Sequence, residues 1–246
     1  MLPFVRKLLL GITLLLNSLI CFSQYNDSTR YYTGLISTGS YNKTDGSRSY
    51  LLTNKLNAGV RRKDVELNFN NTWVYGAADD ALTNNDFNSN FNCNLYKLAP
   101  HAYYWGLGAY TTSISLKVNN QYQAGGGLAY NIIDRGKIKF NVSDGLIYEN
   151  SDIFTSDTIR DKYHTGRNSL RVQLKADTGI FKLNASAYLQ NSLWTKNDVI
   201  VKVDASLTVR IIKWLSVTMA YSYNRVSRTG RENTLLTYGL TLEHYY

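Results

Sequence analysis

The sequence is short of proline, cysteine and long apolar runs, and two of these shortages exclude a class of protein. Only two of the 246 residues are proline and only two are cysteine, which is unusual for a globular domain. After the N-terminal stretch, no run is apolar enough for a transmembrane helix of about 20 residues. A bundle of membrane-spanning helices is therefore excluded. If the N-terminus is removed on export, Cys93 alone remains, and internal disulfides are excluded as well.

The N-terminus has the parts of a secretory signal peptide. Two basic residues precede the apolar stretch LLLGITLLLNSLICF, and Cys21 and Ser23 are the small residues expected just before a cut. An N-terminal membrane anchor is the alternative, but the apolar core is short for a span. We expect residues 1–23 to be removed and residues 24–246 to form one mature domain. Loss of the two bases lowers its formal charge from the +9 of the full chain to +7.

The remaining composition is rich in tyrosine, with 20 residues, and glycine, with 17. Mean hydropathy is −0.28, a value at which a search for apolar segments finds nothing to place in a membrane. A transmembrane β-barrel escapes such a search because only every second residue of each strand faces lipid. The useful test is therefore whether apolar and polar residues alternate along the chain.

Alternation with a period of two recurs in twelve segments. In VKVDASLTVR the apolar face carries Val201, Val203 and Leu207, and the other face is polar. In DFNSNFNCNLY the polar face is a row of asparagines at positions 88, 90, 92 and 94. Residues 116–132 are interpreted as another such strand, with Leu116 and Val118 on the apolar face and Lys117 on the polar one. Segments of this kind are typical of barrel strands.

The connections are expected to alternate in length. Tight links such as RRKD, IDRG and DTG follow the even-numbered segments, whereas longer polar links follow most odd-numbered ones, the longest covering 150–166. Short periplasmic turns and longer outer loops are the bacterial outer-membrane pattern. The sequence therefore predicts an all-β, antiparallel, up-and-down transmembrane barrel of about 12 strands, in the outer membrane of a Gram-negative bacterium. A soluble periplasmic barrel is the alternative.

The last segment, TYGLTLEHYY, alternates up to the final residue. It must pair with the first strand, because a barrel leaves no strand edge in lipid. An alternating last strand with a terminal aromatic resembles the signal that the outer-membrane barrel-assembly machinery reads. We assign this role to Tyr238, Leu240, Leu242 and Tyr246. The predicted surroundings are outer-membrane lipid and lipopolysaccharide, and no oligomeric state is predicted.

Several strand segments also resemble a known family. YQAGGGLAYNII, SDGLIYE, RNSLRVQLKA, ASLTVRIIKWLSVTMAYSY and LLTYGLTLE are similar to the salt-induced outer-membrane-protein (YdiY-like) family in its Bacteroidetes form. The resemblance runs from about Gly34 to the end and implies a barrel. It implies no catalytic residues, and a link to osmotic or salt response comes from the family name alone.

Motifs for catalysis, cofactors or metals are not found. The glycines at 125–127 lack the Gly-Lys-Ser/Thr ending of a phosphate loop, and in a strand glycine more often marks a bend or close packing. His101, His164 and His244 form neither HExxH nor a CxxC-linked zinc site. Ser222 and His244 lie on the last two strands but near opposite ends. We predict no enzyme, cofactor or metal ion; a divalent cation or catalytic group beside His164 in the longest loop is the weaker alternative.

The polar strand faces predict a slightly basic lumen. The predicted lumen-lining residues are Lys117, Lys139, Arg171, Lys175, Lys182, Lys202, Arg210, Glu66, Glu149, Asp177, Asp204 and Glu243. These charges either line a water-filled passage that favours anions or pair into a plug, as side chains fill many small barrels. Nucleic acid is not an expected partner, because the chain is exported and its bases are dispersed.

The sequence thus favours a narrow passive channel for small hydrophilic or anionic solutes, or a structural envelope protein linked to salt response. The alternatives are an outer-membrane enzyme acting on lipid or lipopolysaccharide, and an adhesion or docking barrel that uses the loop at 150–167.

Overall fold

A computed structural model describes residues 31–44, 47–96, 98–156 and 159–245, without the side chains at 44, 244 and 245. The predicted signal peptide, residues 1–23, and Tyr246 of the predicted assembly signal lie outside the described residues.

Twelve strands form one closed barrel. They are β1 (Tyr31–Thr44), β2 (Ser47–Arg62), β3 (Val65–Ala78), β4 (Ala81–Leu95), β5 (Ala102–Ser113), β6 (Val118–Arg135), β7 (Ile138–Phe154), β8 (Arg160–Asp177), β9 (Phe181–Ser192), β10 (Val199–Arg210), β11 (Leu215–Val226) and β12 (Arg231–Tyr245). Each strand pairs antiparallel with its neighbours in sequence, and β1 closes the ring on β12, with Leu35 opposite Leu242. The predicted fold class and strand number are confirmed. Across the described residues, no helix is long and apolar enough to cross a membrane.

The alternation along each strand places apolar side chains on the outside of the barrel and polar side chains inside, the reverse of a soluble protein. Every strand exposes a large apolar or aromatic side chain on its outer face, for example Leu35, Leu52, Phe69, Phe91, Tyr104, Leu128, Leu146, Leu170, Leu189, Leu207, Met219 and Leu240. The buried side chains are mostly polar and include Glu149, Arg167, Thr218 and Thr241, each no more than 1 % exposed. A soluble protein rarely exposes so large an apolar surface, and a lipid environment covers it.

The expected difference in loop length is wrong. The described links at the end opposite the described chain ends are about as short as those at the other end, because the polar residues flanking them pair as further strand. Asp79 and Asp80, both with positive φ, turn β3 into β4. The backbone N–H of Arg48 and the hydroxyl of Ser47 donate to the Asp79 carboxylate and hold its pKa below the usual value. The segment at 150–167 is likewise mostly the β7–β8 hairpin.

A β-bulge overturns the face assignment at the start of β6. The register shifts between Val118 and Asn120, so Val118 faces inward although Tyr122 faces outward. Leu116 and Val118 are 8 % and 3 % exposed and lie inside the barrel, not on the lipid face. Lys117 has a φ of 56° and belongs to the turn before β6, not to its inner row of side chains. One extra residue in a strand inverts every side chain on one side of it.

The glycine triplet lets β6 lie close against β7. A Cβ on Gly127 would stand 2.1 Å from the carbonyl oxygen of Asp144, and one on Gly145 would stand 2.6 Å from the Trp105 ring. The indole N–H of Trp105 approaches the carbonyl oxygens of Leu128 and Asp144 at 3.2 and 3.3 Å. Glycine is therefore needed for close packing, as predicted. It also leaves room for the Trp105 ring to pack against β6 and β7.

Candidate functional site: the barrel interior

The interior of the barrel holds a cavity of about 430 Å³. Its wall consists largely of asparagine, glutamine, serine and threonine side chains, with Trp105 and Tyr188 among the aromatic ones. The charged side chains on it are Lys55, Asp86, Arg171, Lys202 and Asp204. Cavities of this size bind small molecules in many proteins.

One wall of the cavity is a ladder of amides. Asn57 on β2 lies opposite Asn70 on β3, which in turn lies opposite Asn90 on β4, so the three residues stand at one level. One level along the barrel, Asn88 donates from Nδ2 to Thr111 Oγ1 at 2.7 Å. The asparagine row seen in the sequence therefore faces the lumen, and the strand register extends it across three strands.

The carboxylates on the cavity wall are satisfied by neutral donors. Asp86 accepts hydrogen bonds from the hydroxyls of Ser113 and Ser115, and Asp204 accepts one from Ser222 at 2.9 Å. The cations on the cavity wall are not paired with these carboxylates. Within the described ranges, Lys55, Arg171 and Lys202 have no carboxylate oxygen within 4.0 Å; Arg171 donates instead to Ser143. Three cations against two carboxylates leave the described wall of the cavity with a net positive charge.

The turn between β5 and β6 folds across the far end of the lumen. Ser115 accepts a hydrogen bond of 2.9 Å from Asn233 on β12, although β5 and β12 are not neighbours in the barrel. Next to it, Leu116 packs in an apolar cluster with Val118, Ile153, Ile200 and Val226. This turn narrows the mouth opposite the described chain ends.

A buried ionic network lies beside this cluster. Arg167 donates to both carboxylate oxygens of Glu149, at 2.8 and 3.0 Å, and to Asp198 Oδ1 at 2.9 Å. Asp198 also accepts from Arg228, which reaches Asp161. Paired charges with this many hydrogen bonds fix the geometry of the elements that carry them. The network ties β7, β8 and two turns together at the same mouth.

Polar side chains also cross the other end of the lumen. Lys182 on β9 forms an ion pair of 2.9 Å with Glu243 on β12, three strands away. Glu66 on β3 accepts a hydrogen bond from Tyr96 at 2.7 Å and attracts Lys175 on β8 electrostatically. Burial raises the pKa of Tyr96, which lies in the β4–β5 connection and keeps its proton. Both ends of the cavity are thus narrowed.

The remaining residues from the sequence prediction lie nearer the rim. Lys139 pairs with Asp134 at 3.3 Å, and Arg210 donates to the carbonyl oxygen of Gly179 at 2.7 Å. Asp177, at the end of β8, accepts from the backbone N–H of Gly179. The three described residues of the predicted assembly signal, Tyr238, Leu240 and Leu242, are exposed on the outer face of β12 and pair with β1.

Among the residues that the structure describes, we assign no arrangement to catalysis. Ser222 is paired with Leu235 on β12, nine positions before His244, which is about 30 Å along a strand. His164 lies in β8, not in a loop, and its ring is 5.7 Å from that of Trp194 and 6.4 Å from that of Tyr148. Across the described ranges, no group of His, Cys, Asp and Glu side chains could hold a metal ion.

Several interior residues were missed by the sequence reasoning. Lys55 and Asn57 stand on a polar strand face that the sequence shows, and an inventory of that face would have found them. Arg167 adjoins the segment interpreted as a loop, and its pairing with Glu149 depends on β7–β8 register. Trp105 lies in an aromatic and glycine-rich segment without clear alternation.

The sequence matches one protein family over most of its length. Residues 42–244 match DUF481, described as a protein of unknown function. The chain belongs to the DUF481 family. A comparison with curated proteins gives no match. The YdiY-like and Bacteroidetes features of the resemblance noted above remain predictions.

Among solved structures, the chain is similar to several outer-membrane barrels. The translocator domain of the autotransporter NalP from Neisseria meningitidis has a TM-score of 0.52 and 11% identity, covering 97% of this chain and 95% of that one. The NanC porin has a TM-score of 0.50 and 10% identity, covering 86% and 98%. An outer membrane channel from Pseudomonas putida F1 has a TM-score of 0.50 and 11% identity, covering 92% and 100%. The chain has the fold of outer-membrane proteins.

Proposed function

We propose that the protein is a narrow passive channel for small hydrophilic solutes, with a preference for anions. The observation that carries the proposal is the polar cavity inside an apolar barrel, whose described wall carries three cations, Lys55, Arg171 and Lys202, against the two carboxylates of Asp86 and Asp204. Rings of fixed positive charge favour anions in pores. The named porin and channel among similar barrels agree with this reading, although their likeness is one of fold.

The side chains that cross both ends set the expected size of the passage. A solute must pass the inward-folded β5–β6 turn at one end and the Lys182–Glu243 pair at the other. We therefore expect a small conductance and exclusion of large solutes. A fully filled structural barrel is the second candidate, favoured by the same cross-lumen bonds.

The test is to insert the purified protein into planar bilayers and record single-channel currents. Small, uniform current steps are expected. Heat-denatured protein is the control and gives none. A folded barrel that inserts without producing current would overturn the channel and leave the filled barrel.

Two further roles are proposed on the sequence alone. We propose that Tyr238, Leu240 and Leu242 on β12 are read by the barrel-assembly machinery, with lipid and lipopolysaccharide surrounding the folded barrel. We also propose a link to salt response, from the resemblance to salt-induced proteins. Comparing the protein's abundance in cells grown at low and high salt tests the link, and equal abundance would contradict it.

A further inference from the structure

We propose that the central cavity is a binding site for one small hydroxylated organic anion, a carboxylate or phosphate of a polyol. The inference rests on the proposed function, because the ligand would be a solute that the passage carries. It goes further by requiring a saturable site with a defined ligand chemistry.

Opposed cations define the anionic part of the ligand. Lys55 lies on β2, whereas Arg171 lies on β8, on the opposite side of a twelve-stranded ring. Lys202 on β10 is attracted by Glu149 and Asp204, and the Asp204 carboxylate on the same wall offsets part of its charge. A carboxylate or phosphate between the walls would supply the charged acceptor that Lys55 and Arg171 lack.

The amide ladder defines the hydroxylated part of the ligand. Asn57 and Asn70 face the cavity, and their side chains make no hydrogen bond to any described residue. Each amide offers donors and an acceptor, which suits hydroxyl groups, since a hydroxyl also does both. A simple inorganic anion would use the cations and leave this wall without a partner.

Two buried polar atoms on the cavity wall also lack partners. Thr53 is 5 % exposed and Gln121 is 3 % exposed, and neither Thr53 Oγ1 nor Gln121 Nε2 has a hydrogen-bond partner among the described residues. Buried polar atoms are nearly always paired, and exceptions need an explanation. Both atoms have almost no accessible surface, so a hydroxylated ligand reaches them only when the Thr53 and Gln121 side chains rotate toward the cavity.

The experiment is isothermal titration calorimetry on the protein purified from membranes in a neutral detergent. Gluconate and sorbitol 6-phosphate are the anionic probes. Sorbitol has the hydroxyls without the charge, and hexanoate has the charge without the hydroxyls. We expect saturable binding of one or both anionic polyols and much weaker binding of sorbitol and hexanoate. Whichever anionic polyol binds more tightly identifies the anionic group.

Single variants make the result specific to the cavity. Lys55→Gln and Arg171→Gln each remove one charge-assisted contact and should weaken binding by about tenfold or more. Lys196→Gln, which changes an exposed lysine in the β9–β10 turn, is the matched control and should bind as the wild type does. Equal losses in all three variants, or no saturable binding by the folded protein, would overturn the proposed site.

Failure of the site and failure of the channel are distinguishable, because binding is measured without a membrane. A barrel that carries anion current but binds no anionic polyol keeps the channel and overturns the site. A barrel that binds gluconate but carries no current keeps the site and overturns the channel.

Discussion

Asn233 on β12 donates a hydrogen bond of 2.9 Å to Ser115 in the β5–β6 turn, across the mouth of the barrel. The contact joins parts of the wall that are not neighbours in the sheet, so it can form only because the turn folds into the lumen. Leu116 follows Ser115 and fills the apolar cluster below. The inward-folded turn narrows this mouth, and substitution of Leu116 tests whether it limits the current.

Shortening Leu116 should widen the mouth. Leu116→Ala removes most of the side chain that packs against Ile200 and Val226, so single-channel conductance should rise. Ile114→Ala is the matched control, because Ile114 lies in the same turn but is 48 % exposed, and its conductance should stay at the wild-type value. Unchanged conductance for Leu116→Ala would show that this turn does not limit the current.

Breaking the buried ionic network should cost much stability. Arg167→Met leaves Glu149 buried without its main partner, and we expect unfolding free energy to fall by about 3–5 kcal/mol. Arg160→Met removes an ion pair with Asp152 in which the arginine is half exposed, and should cost less than about 1 kcal/mol. Urea unfolding of the refolded barrel in lipid vesicles measures both values.

A double variant separates the cost of losing the Glu149–Arg167 ion pair from the cost of leaving the Glu149 carboxylate unpaired. The double variant with Glu149→Leu and Arg167→Met removes the Glu149–Arg167 pair and leaves Asp198 paired with Arg228. It should be less destabilised than Arg167→Met alone, since no unpaired Glu149 carboxylate remains. A double variant that loses the sum of two large single effects would contradict this account of the network.

A methyl group at Gly127 should disturb the pairing of β6 with β7. Its Cβ would stand 2.1 Å from a backbone oxygen that cannot move without breaking the ladder, and we expect Gly127→Ala to destabilise the barrel by about 1–3 kcal/mol or more. Gly108→Ala is the control, because a Cβ there meets nothing within 4 Å. The folded fraction on unheated gels and urea unfolding report the difference; equal behaviour of the two variants would refute the close-packing role.

The sequence was sufficient to predict the barrel, because a lipid-facing wall imposes one simple rule on every strand. Apolar residues at every second position are visible without any knowledge of tertiary contacts, and so is the asparagine row at 88, 90 and 92. The twelve segments and the closure of β12 on β1 follow from the same rule, since an open edge in lipid is too costly.

Local departures from the rule were not predictable. The bulge between Val118 and Asn120 inverts the face of Val118, the turn before β6 carries Leu116 inward, and no residue type marks either feature. The Asp79–Asp80 turn shows that polar residues can extend a hairpin as readily as form a loop. Contacts across the lumen, such as that between Lys182 and Glu243, depend on the stagger of strands around the ring, which local sequence does not encode.

The most direct test of the central claim is the reversal potential of single channels under a potassium chloride gradient. We predict a potential of the sign for chloride preference, and we predict that Arg171→Glu with Lys202→Glu shifts it toward potassium, whereas Lys196→Glu leaves it unchanged. A wild-type channel that prefers potassium, or a preference that the two cavity substitutions do not alter, would contradict a passage governed by the cations of this cavity.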